Sequence, residues 1–458
     1  MRNHIKILAI LLGIMFLFPA CESFVDVGTP SAQLSAEVVF NDAGTAEAAL
    51  VNVYSKLQGN VLVTGDVSGV SILLGHYADE LTYYGSPGGS EEVFWQNSLL
   101  PSGNLVGSLW NDSYNLIYSA NAVIEGVEGS AGIAQADKDR LTGEALFLRA
   151  FIHFYLSGLY GSIPYVTTTD YRVNSTVLRI PVEEIYPLLA ADLSSAQILL
   201  ESAPQSADNV RVNVDAAKAM LARVYLYSQN WTAAEAATTD VISSPALTWV
   251  EDLNGVFLKG STGTIWQLMP GSAGMNTIEA QNFIFESGPP PARALSESLV
   301  NAFEAGDLRK EQWIKMVSDG TGAWYHAFKY KNNGSSGTSE EYSIMLRLGE
   351  MYLIRAEARA QLGNLSGAVQ DLDKIRTRAG LPPTAAATQQ EMLQAVMRER
   401  RVELFTELGH RFFDLKRTGA ADQVLSEKPG WDATDILWPL PANEMLLNQN
   451  LLPQNPGY

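Results

Sequence analysis

The sequence predicts a mostly α-helical fold, in which tetratricopeptide-like helical pairs form a scaffold that carries long irregular loops and a few short strands. Three observations lead there. Apolar residues recur at helical spacing along most of the 458 residues, which is the signature of amphipathic helices. Two segments, Val214 to Ser243 and Ile344 to Ala379, resemble each other without gaps: Asn230 falls on Asn364, Trp231 on Leu365, Ala234 on Ala368 and Val241 on Ile375. Between them, from Pro245 to Ser343, glycines, prolines and aromatics accumulate and the periodicity fades.

Taken in order, Thr45 to Gln58 places Ala49, Leu50, Val53, Tyr54 and Leu57 at helical spacing, and Leu109 to Val127 does the same with Leu116, Ile117, Ala120 and Ile124. The intervening stretch, Gly75 to Pro101, is rich in Gly, Ser and aromatics and reads as a long structured loop. Leu141 to Tyr160 and Val182 to Leu200 are further helices, broken by Gly161 and Pro164 and by Pro204. Each of the two self-similar segments reads as helix, tight turn at Asn, helix, with small residues that allow close packing. Ile344 to Leu362 is apolar around most of its circumference and is expected to be buried helix. Gly380, Leu381, Pro382 and Pro383 form a helix stop, a last long helix spans Gln389 to Leu408, and Trp438 to Tyr458 is expected to wrap as ordered coil. Gly263 to Met269 is strand-like within an irregular subdomain at about 245–343.

Composition narrows the function classes. Hydrophobic residues make up 47% and charged residues 18%, which is globular and not disordered composition. A net charge of −19 argues against binding nucleic acid through a basic surface. Arg2 and Lys6 precede an uncharged run from Ile7 to Phe18, followed by Pro19, Ala20 and Cys21, the single cysteine. That is a secretory signal at 1–20, too short to span a bilayer, and its junction looks like a bacterial lipobox in which Cys21 is acylated, although Phe18 stands where Leu is usual. Glu22 to about Pro30 reads as a tether, and residues 21–458 form the remaining body. The expected result is a protein anchored to a membrane without crossing it.

The charged run Arg398, Glu399, Arg400, Arg401, Glu403, Glu407, Arg411 and Asp414 has the three- and four-residue spacing of helix-stabilising pairs and reads as scaffold, as do Arg355, Glu357 and Arg359. The five histidines (His4, His76, His153, His326 and His410) show no metal-ligand spacing, so no metal and no cofactor are expected. Asp79 and Glu80 are adjacent, whereas glycosidase carboxyls must face each other across a bond, so hydrogen bonding is expected of them and not catalysis. Exposed aromatics are the better candidates. Tyr83, Tyr84 and Trp95 sit among polar, flexible neighbours, and Trp266, Trp313, Trp324 and Tyr325 lie in the second irregular region. A flat ring buries the apolar face of a sugar while Asp, Asn or Gln takes its hydroxyls. The expected ligand-binding residues are therefore Tyr83, Tyr84, Trp95, Trp324 and Asp79.

Several blocks then add up to a family. LWNDSYNLIYSANAVIEGV, GEALFLRAFIHFYLSGLYGSIPYV, LRLGEMYLIRAEARAQLGNLSGAVQDLDKIRTRAGLP, RERRVELFTELGHRFFDLKRTG and the ending WPLPANEMLLNQNLLPQNPGY resemble, in order, the SusD/RagB family. The resemblance implies four tetratricopeptide-like pairs and a non-enzymatic lipoprotein on the outer membrane, facing the cell exterior. It implies capture of a nutrient, usually a glycan or oligosaccharide for polysaccharide utilisation. It also implies delivery to a SusC-like TonB-dependent transporter. Peptide cargo on the same scaffold is the first alternative, and a surface glycoside hydrolase is the second.

Overall fold

The computed structural model describes residues 36–59, 61–335 and 337–458. Cys21, the expected signal at 1–20 and the expected tether at 22–30 lie outside them. The longer helices are α1 (Ala43–Gly59), α2 (Val70–Tyr77), α3 (Asn104–Gly129), α4 (Gln135–Tyr160), α5 (Val182–Leu200) and α6 (Val214–Tyr227), followed by α7 (Trp231–Ile242), α8 (Leu348–Gln361), α9 (Leu365–Arg378), α10 (Gln389–Glu403) and α11 (His410–Arg417). They pack in succession: α1 on α3, α3 on α4, α4 on α5, α5 on α6, α6 on α7, α7 on α8, and α8 on both α9 and α10. A run of helices each touching its sequence neighbour is the arrangement of stacked helical repeats, and the fold is mostly α as the sequence predicts.

Local chemistry sets the boundaries. Asn230 and Asn364 turn the chain between paired helices because each side-chain oxygen accepts a backbone N–H of the following first turn, from Ala233 and Gly367. Gly161, with φ +74°, ends α4 in a backbone conformation that other residues avoid. Nearly every side chain from Leu141 to Tyr160 is buried, so α4 is the central helix of the stack.

Strands occur as three two-stranded antiparallel pairs among the described residues. β1 (Leu81–Tyr83) pairs with β3 (Arg293–Leu295), β2 (Thr264–Leu268) with β6 (Ser343–Arg347), and β4 (Ile314–Ser318) with β5 (Ala323–Ala327).

Several boundaries depart from expectation. Ile344 to Arg347 is strand, not helix, because Ile344, Met345 and Leu346 form a short apolar run that β2 can pair, and periodicity alone does not separate a buried strand from a buried helix over so few residues. The last long helix ends at Glu403, not Leu408: Thr406 and Leu408 are left-handed, and their N–H groups donate to the Glu80 carboxylate and the Ser71 hydroxyl instead of to a helical ladder. The stretch from Gly75 to Pro101 holds the end of α2, β1 and a helical turn at Glu92–Trp95, and the C-terminal segment contains a short helix at Ala442–Leu447.

The charged run is scaffold, but by a different route from the one its spacing suggests. Glu399, Arg400 and Glu403 are buried on α10, and their partners come from other elements. The Glu403 carboxylate receives Arg347 at 2.6 Å, Arg378 at 2.5 Å and Arg309 at 3.0 Å. Glu399 receives Arg309 at 2.6 Å, and Arg400 meets Asp414 at 2.7 Å. Arg355 and Arg359 both bind Asp371, which ties α8 to α9.

Candidate ligand-binding site

The chain places Tyr83, Tyr84 and Trp324 on one small assembly of strands. β1 runs beside β3 in the register Leu81 to Leu295, Thr82 to Ala294 and Tyr83 to Arg293, and the Tyr84 N–H extends it by donating to the Ala292 carbonyl at 2.7 Å. β3 in turn packs beside β5, whose hairpin with β4 sets Trp324 opposite Val317. Side chains alternate along a strand. Thr82, Tyr84 and Ala294 therefore share the face on which Trp324 packs with Phe285, Ala294 and Val317. Tyr83 goes to the other face, edge-on to His76 at 5.9 Å, and its hydroxyl donates to the Ser86 carbonyl.

The exposure of these rings differs in a way that bears on function. Tyr84 is 40% exposed. Trp324, Tyr83, Trp95 and Tyr325 are half-buried. Trp324 lies so close over Gly288 and Gly322 that a Cβ at either would fall within 2.1 Å and 2.8 Å of the indole. These glycines let the backbone form a seat for the ring, leaving part of it open. Trp266 and Trp313, both in the second irregular region, are fully buried and carry core packing instead of ligand contact. The Trp313 indole N–H donates to the Leu253 carbonyl at 3.0 Å.

A buried ion pair fixes the patch from beneath. Arg293 grips Glu91 with Nη2 at 2.7 Å from Oε1 and Nε at 2.9 Å from Oε2, and donates from Nη1 to the Asn282 carbonyl at 2.6 Å. His76 Nε2 lies 3.1 Å from the same carboxylate. Burial pushes the Glu91 carboxyl up, but His76 and Arg293 more than offset this and hold it below the usual carboxylate range. Since Glu91 precedes the helical turn Glu92–Trp95, the pair binds that turn to β3 and brings Trp95 alongside, one turn on from Glu91. Sequence reasoning missed Glu91, Arg293 and His76. They are separated by up to 202 positions in the chain and carry no motif.

Asp79 is placed differently from its expected role. Its carboxylate is held by Arg411 at 2.7 Å and Arg401 at 2.7 Å, so both oxygens are committed to α10 and α11. Burial raises its carboxyl, and the two guanidiniums outweigh that and hold it low. Glu80 is buried, accepts the Thr406 N–H, and is pushed up to about 7 by burial and by the neighbouring Asp79 charge. The two carboxylates brace the loop from within, and neither is presented to a ligand. Among the described residues no group of three or more His, Cys, Asp or Glu is placed to hold a metal ion, and no helix is long and apolar enough to cross a membrane.

Clefts of about 540, 540 and 580 Å³ lie elsewhere on the molecule, and none of these three is lined by Tyr83, Tyr84, Trp95 or Trp324. The aromatic patch lies outside these three clefts, with Tyr84 exposed and Trp324 half-buried.

Comparison with known proteins gives consistent results. Residues 311–458 match the model of the SusD family, and residues 90–226 match a second model described as starch-binding, associating with outer membrane. SusD-like protein P2 of Formosa agariphila is 26% identical, covering 94% of this chain and 95% of its own. A SusD superfamily crystal structure from Bacteroides vulgatus superposes with a TM-score of 0.81 at 20% identity, covering 92% of this chain and all of that one. A structure titled as a laminarin-binding SusD-like protein superposes at 0.77 with 25% identity, covering 91% of this chain and 99% of its own.

Proposed function

This chain belongs to the SusD/RagB family, and from that premise we propose that it is a non-enzymatic surface lipoprotein that captures a nutrient glycan and passes it to a SusC-like TonB-dependent transporter. The observation that carries the reading is the platform formed by Tyr84 and Trp324 on paired strands, held from below by the buried Glu91–Arg293 pair. Aromatic faces on a rigid seat give a sugar ring its apolar contact at low entropic cost, which is how a binder without a deep pocket gains affinity. The laminarin-binding relative points to a carbohydrate as cargo. The outer-membrane description of the matching family model points to the compartment.

Anchoring rests on Cys21, with Tyr84 and Trp324 contributing the ring contacts and Trp95 lying on the adjoining turn. Acyl chains on Cys21, at about 0.8 kcal/mol per buried CH₂, would hold the molecule at the surface. Affinity electrophoresis through gels containing neutral polysaccharides tests the cargo: retardation by a polysaccharide and none by peptides is expected, and the reverse would establish peptide cargo. Cys21→Ser is expected to release the protein from membranes in a strain lacking the transporter. Mild detergent extraction is expected to co-purify a TonB-dependent β-barrel with the wild type.

A further inference from the structure

A second cleft, distant in sequence from the aromatic platform, has the chemistry of a ligand site of its own. It has a volume of about 540 Å³ and lies between α3, the segment around residues 164–177 and the C-terminal segment around residues 444–451. Its floor is rigid. Trp110 and Tyr114 lie with ring centroids 4.9 Å apart, Trp110 abuts Tyr160 edge-on at 4.9 Å, and the Tyr114 hydroxyl donates to the Pro164 carbonyl at 2.8 Å. The far wall is braced as well. Asn448 and Asn450 donate to the carbonyls of Val177 and Thr176 at 2.9 and 2.7 Å, locking the C-terminal segment against the 164–177 segment.

Along the α3 wall, Asn111, Asn115 and Tyr118 follow one another at helical spacing and share one face. Neither Asn side-chain amide has a partner among the described residues, and the Tyr118 ring is 52% exposed. Successive residues of such a row stand about 6 Å apart, close to the length of one sugar ring. Across the cleft, Glu444 is half-buried, and its carboxylate has no ion pair or hydrogen bond among the described residues. A desolvated carboxylate without a cation favours hydroxyl donors and repels anions.

We propose that this cleft is a second oligosaccharide site, selective for neutral over acidic glycans, in which Tyr118 supplies the ring platform, Asn111 and Asn115 take hydroxyls, and Glu444 accepts from a pair of them. The inference rests on the glycan reading above and adds a place for it. Two sites on one rigid body raise the avidity for a long chain without any new contact at either, because the second engagement is intramolecular. Leu447 at the rim would also suit an aliphatic side chain, which makes an apolar peptide the competing occupant.

The test is a glycan array carrying short and long α-glucans, β-glucans, xylans, mannans and galactans, together with polygalacturonate and a sulfated galactan. The full chain would be applied as wild type, Asn115→Ala/Tyr118→Ala, Trp324→Ala and Glu444→Gln, each first checked by its melting temperature to be folded at the assay temperature. Among the neutral glycans that the wild type retains, the cleft variant is expected to lose about tenfold in affinity for the long chain. It should keep the short-oligosaccharide binding at the platform that Trp324→Ala weakens. Glu444→Gln is expected to admit the acidic glycans. A cleft variant that binds every glycan as the wild type does overturns the cleft while leaving the glycan reading intact. A wild type that retains no glycan overturns both. Displacement of nothing but an apolar peptide library by the cleft variant assigns the site to a peptide and overturns the proposal.

Discussion

The helical scaffold and the strand-borne platform handle polar and aromatic side chains in opposite ways. Around α10 the side chains of Glu399, Arg400 and Glu403 are buried, and Glu403 alone serves Arg309, Arg347 and Arg378. On the platform the rings of Tyr84 and Trp324 are left partly open and a single buried pair, Glu91–Arg293, fixes the backbone that carries them. The difference separates folding from binding. Where charged side chains are buried against one another they are withdrawn from a ligand, and where rings stay exposed on a fixed backbone, contact area is on offer at little entropic cost.

The largest effect that would break this comparison is expected from Glu403→Ala. Removing the carboxylate strips Arg378 of its ion pair and takes one partner from Arg309, which keeps Asp307 and Glu399, and from Arg347, which keeps Glu407. A loss of about 3–5 kcal/mol in urea denaturation is expected, with affinity per folded molecule unchanged. Altered affinity in the folded fraction would show that scaffold and site are not separable. Arg293→Ala lies between the two regions. It strands Glu91 and frees the turn Glu92–Trp95, so a loss of stability is expected together with a loss of glycan retention, read by pairing denaturation with affinity electrophoresis. Tyr84→Ala and Trp324→Ala are expected to cost about 1–3 kcal/mol of binding, measured by calorimetry. Tyr84→Ala should leave the melting temperature unchanged. Trp324→Ala should lower it modestly, since that ring also packs on Phe285, Ala294 and Val317.

The smallest effect concerns pH. Glu80 is held near 7 in the fold against an ordinary 4.5. A carboxyl raised by folding favours the native state fully only below its unfolded value, and that contribution is lost as pH rises from about 4.5 through 7. Relative to wild type, Glu80→Gln is therefore expected to gain stability between pH 5 and pH 8, seen as a shift in the denaturation midpoint. A constant difference across that range would mean that Glu80 is not desolvated in solution.

How far the sequence could be read follows from the range of the interactions involved. Helices were legible because their periodicity is written within a dozen residues, and the Asn turns because each cap is closed within three. Two features were not legible: the strand at Ser343–Arg347 and the early end of α10. The first depends on β2, some eighty positions away, and the second on Ser71 and Glu80. Tyr84 and Trp324 stood out as aromatics among glycines and polar residues, and the structure joins them through β3. Asp79 was misjudged for the same reason that Arg293 was missed. The arginines that occupy Asp79 lie 322 and 332 positions further on, and nothing local announces them.

One carboxylate shared by three guanidiniums also has a consequence for descent. Loss of Glu403 strips Arg378 of its ion pair, and loss of any one arginine unbalances the buried charge, so these four positions should be inherited as a block or replaced together. Tyr84 and Trp324 answer to no such constraint. On the proposed function, a lineage can thus exchange its rings one at a time and take up a different glycan while the frame beneath passes unaltered from ancestor to descendant.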